Sequence, residues 1–306
     1  MRPLPDLAAV ILWMAGALLS FSANALAVRE LAPALGLFEI LGARAGAGLA
    51  VVGLVALARG RSLAPSRLPI HGLRNIAHWF GNYAWSVGVT LLPLGVVFAL
   101  EFTTPAWVTL LAVLILRERL TVSRAGAVGL GFLGVLVILR PGFAALQPAS
   151  LLVLAAALGF AITAVATKAL TRHDSTLVIL FWMNAMQLPL NLAAAWLVPS
   201  APAVAFEPLH HGIGLAVVCG AGLSSHWCLT NAYRRGDAIL VVPLDFLRLP
   251  LIALIAWRIY GEPLDPWLFA GAGLIVGGIV WNLARETRTR AGPGQPAPKW
   301  SPVRRR

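Results

Sequence analysis

The chain has 306 residues, of which 59% are hydrophobic and 12% charged, and its mean hydropathy is +0.81. A soluble domain carries about 25% charged residues, so this sequence lacks the polar surface that a water-facing fold needs. The formal net charge of +12 argues against a nucleic-acid surface, because the positive residues sit in short runs between apolar segments, as bilayer topology requires.

About 20 apolar residues cross a hydrocarbon core, and on that measure the chain reads as an all-α membrane protein with ten transmembrane helices. In chain order they are Leu7–Val28, Ala34–Leu57, Ile70–Leu91, Leu94–Leu116, Arg124–Leu139, Ala149–Leu170, Thr176–Val198, Gly212–Asn231, Ala238–Trp257 and Leu264–Leu283. Breakers separate them, among them Pro33, Pro65, Pro93, Pro141-Gly142, Pro148, Pro199, Pro208, Gly236 and Pro263. The stretch Ala291–Arg306 is rich in Pro and Arg, lacks an apolar period and reads as a disordered basic tail. Arg2, the first apolar run and Ala25-Leu26-Ala27 imitate a cleavable signal, but the run is too long for one, and the first helix is expected to stay. Cys219 and Cys228 are nine apart in one predicted helix, about 13 Å of rise, so they read as two buried thiols rather than a disulfide.

Lys and Arg set the orientation. With the amino terminus in the cytoplasm, the inner segments hold Arg59, Arg61 and Arg67, then Arg117, Arg119 and Arg124, then Lys168 and Arg172, then Arg234 and Arg235, and the tail. The outer segments hold only Arg29, Arg140 and Arg258. This places both termini in the cytoplasm and the chain in the cell inner membrane.

The two halves match at an offset of 144 residues. Glu101-Phe102 falls on Asp245-Phe246, Glu118 on Glu262, Leu120 on Leu264, Gly129 on Gly273 and Gly134 on Gly278. Residues 1–145 and 146–290 then form two repeats of five helices each. An odd number forces the second repeat to enter the membrane from the other side. Inverted repeats of this kind characterise secondary transporters.

Polar groups inside the spans need partners or a wet cavity. A charge at mid-bilayer costs about 2.5–3.5 kcal/mol, and Glu39, Arg44, Glu101, Asp245 and Arg248 all lie within predicted helices. Asp245 and Arg248 are three apart and either pair locally or meet a ligand. Glu101 has no opposite charge at helical spacing and must look to another helix, water or solute. Glu39 lies near a helix end and can reach headgroups; Arg44 lies deeper and faces inward; Arg74 lies close to the cytoplasmic end, where it can snorkel. These three read as gating or structural groups. In the third helix His71, Arg74, Asn75, His78, Asn82 and Trp85 recur every three or four residues, flanked by Trp79 and Tyr83. The eighth helix offers His226 and Trp227. Aromatic faces, an amide and a carboxylate suit a polar organic solute, cationic or zwitterionic. His78, Trp79, Asn82, Tyr83, Glu101, His226, Trp227, Asp245 and Arg248 are therefore the candidate substrate-binding residues; interhelical hydrogen bonding is the alternative use of the His and Asn.

Glycine pairs at Gly42 and Gly46 and at Gly273 and Gly277 predict close helix crossings. Gly129-Leu130-Gly131-Phe132-Leu133-Gly134 has the letters of a dinucleotide loop, but no strand precedes it and it lies mid-span, so it reads as packing. Ser224, Ser225 and His226 are adjacent on one helix and cannot pair as nucleophile and base, and no phosphate loop or metal motif is present. No cofactor, metal or enzymatic activity is expected.

Leu91-Leu92-Pro93-Leu94 through Thr104-Pro105, Arg117-Glu118-Arg119-Leu120, Gly134 through Gly142, Ala232 through Asp237 and Gly261-Glu262-Pro263-Leu264 resemble the drug/metabolite transporter superfamily, in particular its ten-helix EamA-type members. Phe38-Glu39-Ile40 with Arg44 resembles the second helix of members that move riboflavin, S-adenosylmethionine or amino acids. The resemblance implies a central cavity lined by the third, fourth, eighth and ninth helices, and homodimer contacts through the fifth and tenth. Arg117, where relatives carry a small residue, and the charges Glu101 and Arg248 depart from the pattern. The expected function is a secondary transporter for a small organic metabolite, working by alternating access; the other reading is a non-transporting membrane partner or receptor.

Overall fold

The computed structural model describes residues 5–92, 94–140, 148–198, 203–261 and 266–291. The breaks expected at Pro93 and Pro141-Gly142, the Glu262-Pro263-Leu264 motif and the tail from 292 onward lie outside the described residues. Among the described residues the chain is all helical. The elements are α1 (Pro5–Leu31), α2 (Leu37–Ala58), α3 (Leu68–Leu91), α4 (Leu94–Glu101), α5 (Thr104–Leu111), α6 (Val122–Leu139), α7 (Ser150–Leu170), α8 (Thr176–Leu197), α9 (Pro208–Arg235), α10 (Ala238–Val241), α11 (Arg248–Tyr260) and α12 (Pro266–Ala291). A π turn, Ala112–Leu116, follows α5, and a 3-10 segment, Val242–Leu247, joins α10 to α11.

Nine described segments are long and apolar enough to span a bilayer, with α4 running into α5 and α10 into α11 as single crossings. The tenth long helix is α3. Its 24 residues suffice in length, but His71, Arg74, Asn75, His78 and Asn82 take it below the apolarity of the others. A helix that polar is stable in a membrane bundle only if neighbours receive its polar face.

Both short breaks have a chemical cause. Pro105 has no N–H to give the Glu101 carbonyl, so the helical ladder stops there. The Thr104 hydroxyl donates to that carbonyl at 2.6 Å, and the Thr103 hydroxyl donates to Leu100 O at 2.6 Å. In the second half Pro243 opens the 3-10 segment in the same way. The two breaks meet: the Phe102 and Phe246 rings stack with centroids 5.9 Å apart, inside a core that also holds Tyr233, Ile239, Val135 and Ile275.

Helices pack as α1 along α9, α3 along α7, α2 along α8 and α6 along α12. Small residues set the closest crossing. A Cβ on Gly134 would stand 2.5 Å from the Gly271 carbonyl oxygen, so α6 and α12 touch backbone to backbone. Gly42 and Gly46 lie against Leu192 and Leu188 of α8, as expected of a crossing pair. Gly273 and Gly277 do not: nothing lies within 4 Å of a Cβ at either, and α12 uses Gly271 and Gly278 against α6 instead. The two pairs are on different faces of the same helix, which spacing alone does not distinguish.

One end of the bundle is tied by charge. Arg124 donates to Glu286 at 2.6 Å and to Asp237 at 3.1 Å. Glu118 accepts from the Ala238 and Ile239 N–H groups, both at 3.0 Å. Its carboxylate thus caps α10 from across the chain, satisfying donors that the start of a helix leaves free. Glu39 does the same locally. It is exposed and accepts from Gly36 N at 2.9 Å at the start of α2.

Candidate functional site

The polar face of α3 divides into two neighbourhoods. Nearest its start, His71, Arg74 and Asn75 are buried against α7 and α8. Arg74 Nε donates to Thr167 Oγ1 at 2.8 Å, Nη1 to Asn75 Oδ1 at 2.9 Å and Nη2 to Met183 Sδ at 3.5 Å. Arg74 is only 1% exposed, so the expectation that it snorkels is wrong. The reason is a polar seam: Thr163 and Thr167 on α7 and Gln187 on α8, whose side-chain amide donates to Asn75 O at 2.9 Å. His71 Nε2 and Asp174 Oδ2 lie 2.9 Å apart, and Ser66 N donates to Asp174 Oδ1 at 2.9 Å. Asp174 lies in the loop before α8. Burial by itself would raise its carboxyl, but hydrogen bonds from Ser66 and His71 hold it below the ordinary carboxylate value. Thr167, Gln187 and Asp174 escape sequence reasoning because they belong to other helices and loops, and only tertiary contact joins them to α3.

Further along α3 the central groups face the second half of the chain. His78 meets His226 of α9 edge to face, with centroids 5.4 Å apart. Phe160 of α7 borders His78, and Phe21 of α1 borders His226. Both imidazoles are buried, and His78 Nδ1 has no hydrogen-bond partner among the described residues. Asn82 is half-buried and its side chain has no partner there; its carbonyl accepts from Ser86.

Glu101 finds the interhelical partner that its isolation demands. Arg248 Nη2 donates to Glu101 Oε1 at 2.8 Å, and Trp85 Nε1 donates to Oε2 at 2.8 Å. The same Nη2 reaches Asp245 Oδ2 at 3.3 Å. The guanidinium also lies over the Phe102 and Phe21 rings at 5.3 and 6.0 Å. Arg248 thus serves the local Asp245 and the distant Glu101 together.

The aromatic candidates split. Phe38 of α2 stacks with Trp79 and Tyr83 at 6.4 and 6.1 Å. Tyr83 is 40% exposed and continues the outward stripe of Leu73, Ile76 and Phe80, so it marks the margin of the site. Trp79 points its Nε1 inward, buried and without a partner among the described residues. Trp227 sits apart, packed on the apolar cluster of Val52, Leu177, Leu180 and Met183; one position from His226 on a helix is a turn of about 100°, enough to send it to another face. Arg44 crosses from α2 to α9, where its Cγ and Cδ fill the space a Gly222 side chain would take. A separate cavity of about 360 Å³ opens between α1 and α9, lined by Ala27, Glu30, Leu31, His210 and Gly214. The central groups themselves are closed on one another.

A bundle of long apolar helices with guanidinium, carboxylate and imidazole groups gathered inside is a multi-pass membrane protein with a polar interior. Residues 8–140 and 147–284 each match the EamA-like transporter family, and the chain belongs to that family. It is 32% identical over 230 residues to a riboflavin transporter of Rhizobium johnstonii, covering 73% of this chain and 72% of the relative. It is 27% identical over 280 residues to an S-adenosylmethionine uptake transporter of Rickettsia felis, covering 90% and 92%. A protein crystal structure superposes with a TM-score of 0.80 over 93% of this chain and 99% of its own, at 19% identity, a likeness of fold. The chain is a small-metabolite transporter.

Proposed function

We propose that the chain is a secondary carrier of the inner membrane that works by alternating access, with both termini in the cytoplasm and a ring-bearing metabolite of the flavin or adenosyl class as solute. One observation carries this reading: the broken crossings α4–α5 and α10–α11, one from each family repeat, meet at Phe102 and Phe246 and are bridged by Glu101 and Arg248. Discontinuous helices at a repeat interface are where carriers bind solute, because their freed backbone and side-chain groups can be exchanged for solute contacts. The packing supports two inverted five-helix halves. Under the offset of 144, α1 on α9 exchanges with α7 on α3, while α2 on α8 and α6 on α12 map onto themselves. The names of the relatives, riboflavin and S-adenosylmethionine transporters, support the solute class, and the Phe38, Trp79 and Tyr83 rings offer faces on which such a ring can stack.

Purified full-length chain in proteoliposomes, supplied with labelled riboflavin and labelled S-adenosylmethionine, tests the proposal. Uptake of one of them, saturable and lost in Glu101→Gln, is the expected result. Absence of uptake of either would remove the solute class, and saturable uptake untouched by Glu101→Gln would remove the bridged break from the mechanism.

A further inference from the structure

The interior charges do not balance. Arg44, Arg74 and Arg248 stand in the helical interior against two carboxylates, Glu101 and Asp245, and Arg248 holds both of those. Arg74 is satisfied by Thr167, Asn75 and Met183. Arg44 has no acceptor within hydrogen-bond distance among the described residues. Its aliphatic stem lies on Gly222, on the α9 face that also carries Cys219 three residues before and His226 four residues after, and the His226 ring packs edge to face on His78 with centroids 5.4 Å apart. Arg44 is half-buried, and its guanidinium carries five N–H donors in a fork whose geometry suits a carboxylate or phosphate. On α3, His78 Nδ1 and Trp79 Nε1 are also buried without partners among the described residues. The Arg44 guanidinium and the Trp79 indole are donors by chemistry, and the His78 imidazole can turn an N–H to an acceptor through its Nδ1 tautomer.

We infer that Arg44, with His78 reached across His226 of α9, forms the anion subsite of the solute pathway and takes a carboxylate or phosphate group carried by the transported molecule. The inference rests on the carrier reading above and sharpens it, because the solute is then an organic anion or a zwitterion docked by its acid group. Glu101, which by sequence reads as the charge that selects a cationic solute, is already neutralised by Arg248, which leaves Arg44 to set the sign. Gly222 makes room for this: any side chain there would displace the Arg44 stem.

Matched pairs of probes test the inference on the full chain in nanodiscs of zwitterionic lipid: riboflavin 5′-phosphate against riboflavin, and S-adenosylmethionine against its decarboxylated form. The acid-bearing member of a pair is expected to bind about tenfold tighter than its twin. Arg44→Gln should abolish that preference and Arg44→Lys should keep part of it, as a point charge without the fork does. The comparison of twins on the unaltered protein needs no variant, so a misfolded Arg44→Gln leaves the test intact. Equal binding of twins, or a preference that survives Arg44→Gln, overturns the anion subsite while leaving the carrier reading in place. A preference erased by adding phosphatidylglycerol assigns the site to a lipid headgroup and overturns it as well. Binding of no probe at all overturns both readings.

Discussion

Glu101 on α4 and Arg248 on α11 are 147 residues apart in sequence and 2.8 Å apart in space. Their pairing lets two charges sit inside a bundle that would otherwise bear an open cost for each. It is asymmetric. Glu101 keeps Trp85 if Arg248 is lost, but Arg248 is the cation that both Glu101 and Asp245 touch. Arg248→Met therefore leaves two carboxylates unpaired, and Glu101→Gln leaves Arg248 with Asp245. Breaking a buried pair from one side costs about 3–5 kcal/mol. We expect Arg248→Met to approach that range and Glu101→Gln to cost less than half as much. Thermal melting in detergent checks the order, and equal losses would mean that Asp245 contributes nothing to Arg248.

The glycine run on α6 separates into three cases that a melting series can tell apart. A Cβ at Gly134 would strike the Gly271 carbonyl, which belongs to a helix backbone and cannot swing away, whereas at Gly129 nothing lies within 4 Å. Gly134→Ala should destabilise by about 1–3 kcal/mol through overpacking. Gly129→Ala should be neutral or stabilise by up to about 1 kcal/mol, the helix-propensity gain. Gly131 faces the Phe246 ring and should fall between, since a ring can shift where a carbonyl cannot. A Gly134→Ala variant that melts with the parent protein would show that α6 and α12 do not touch as described.

These contrasts mark what a sequence can carry. The apolar spans are legible because length and hydropathy are local: α2, α7 and α8 begin and end within three residues of expectation. The crossings through Pro105 and Pro243 read as unbroken helices on hydropathy, although the missing N–H groups are there to be counted. The isolation of Glu101 announces an interhelical partner, but the choice of Arg248 depends on the packing of two breaks and has no local signature. Arg74 is misplaced by sequence for a related reason. Its depth is set by Thr163, Thr167 and Gln187 on other helices, and helix-end position alone favours snorkelling. Trp227 and Tyr83 show the limit of grouping by neighbourhood in sequence, since a single helical step separates the interior from an apolar cluster or an exposed stripe.

Asp174 gives the pH dependence a definite sign. Its folded carboxyl lies below the ordinary value of an aspartate because Ser66 and His71 donate to the charged form. A depressed value stabilises the folded state above the unfolded value, and that stabilisation is lost as pH falls through the folded one. Melting temperature should hold from neutral pH down to about 5 and then decline as the carboxylate is protonated. Asp174→Asn should melt lower at neutral pH and lose part of the acid-side decline. If the variant and its parent fall in parallel between about pH 5 and 3, other carboxylates govern the acid limb.

Glu118 tests whether a loop motif works by capping. Both carboxylate oxygens accept backbone N–H groups, from Ala238 and Ile239, at 3.0 Å, so the residue joins the turn after α5 to the start of α10, 120 positions away. Glu118→Ala exposes two donors at a helix start where the backbone dipole also favours negative charge, and loss of a cap costs about 0.5–2 kcal/mol. Glu118→Gln keeps one oxygen and no charge and should recover roughly half of that loss. Glu118→Asp keeps the charge but shortens the reach by a methylene, so it should resemble Ala if geometry dominates and the parent if charge does. Amide exchange at Ala238 and Ile239 is the direct readout: it should rise in Glu118→Ala, while unchanged protection there would mean that the two N–H groups have other acceptors.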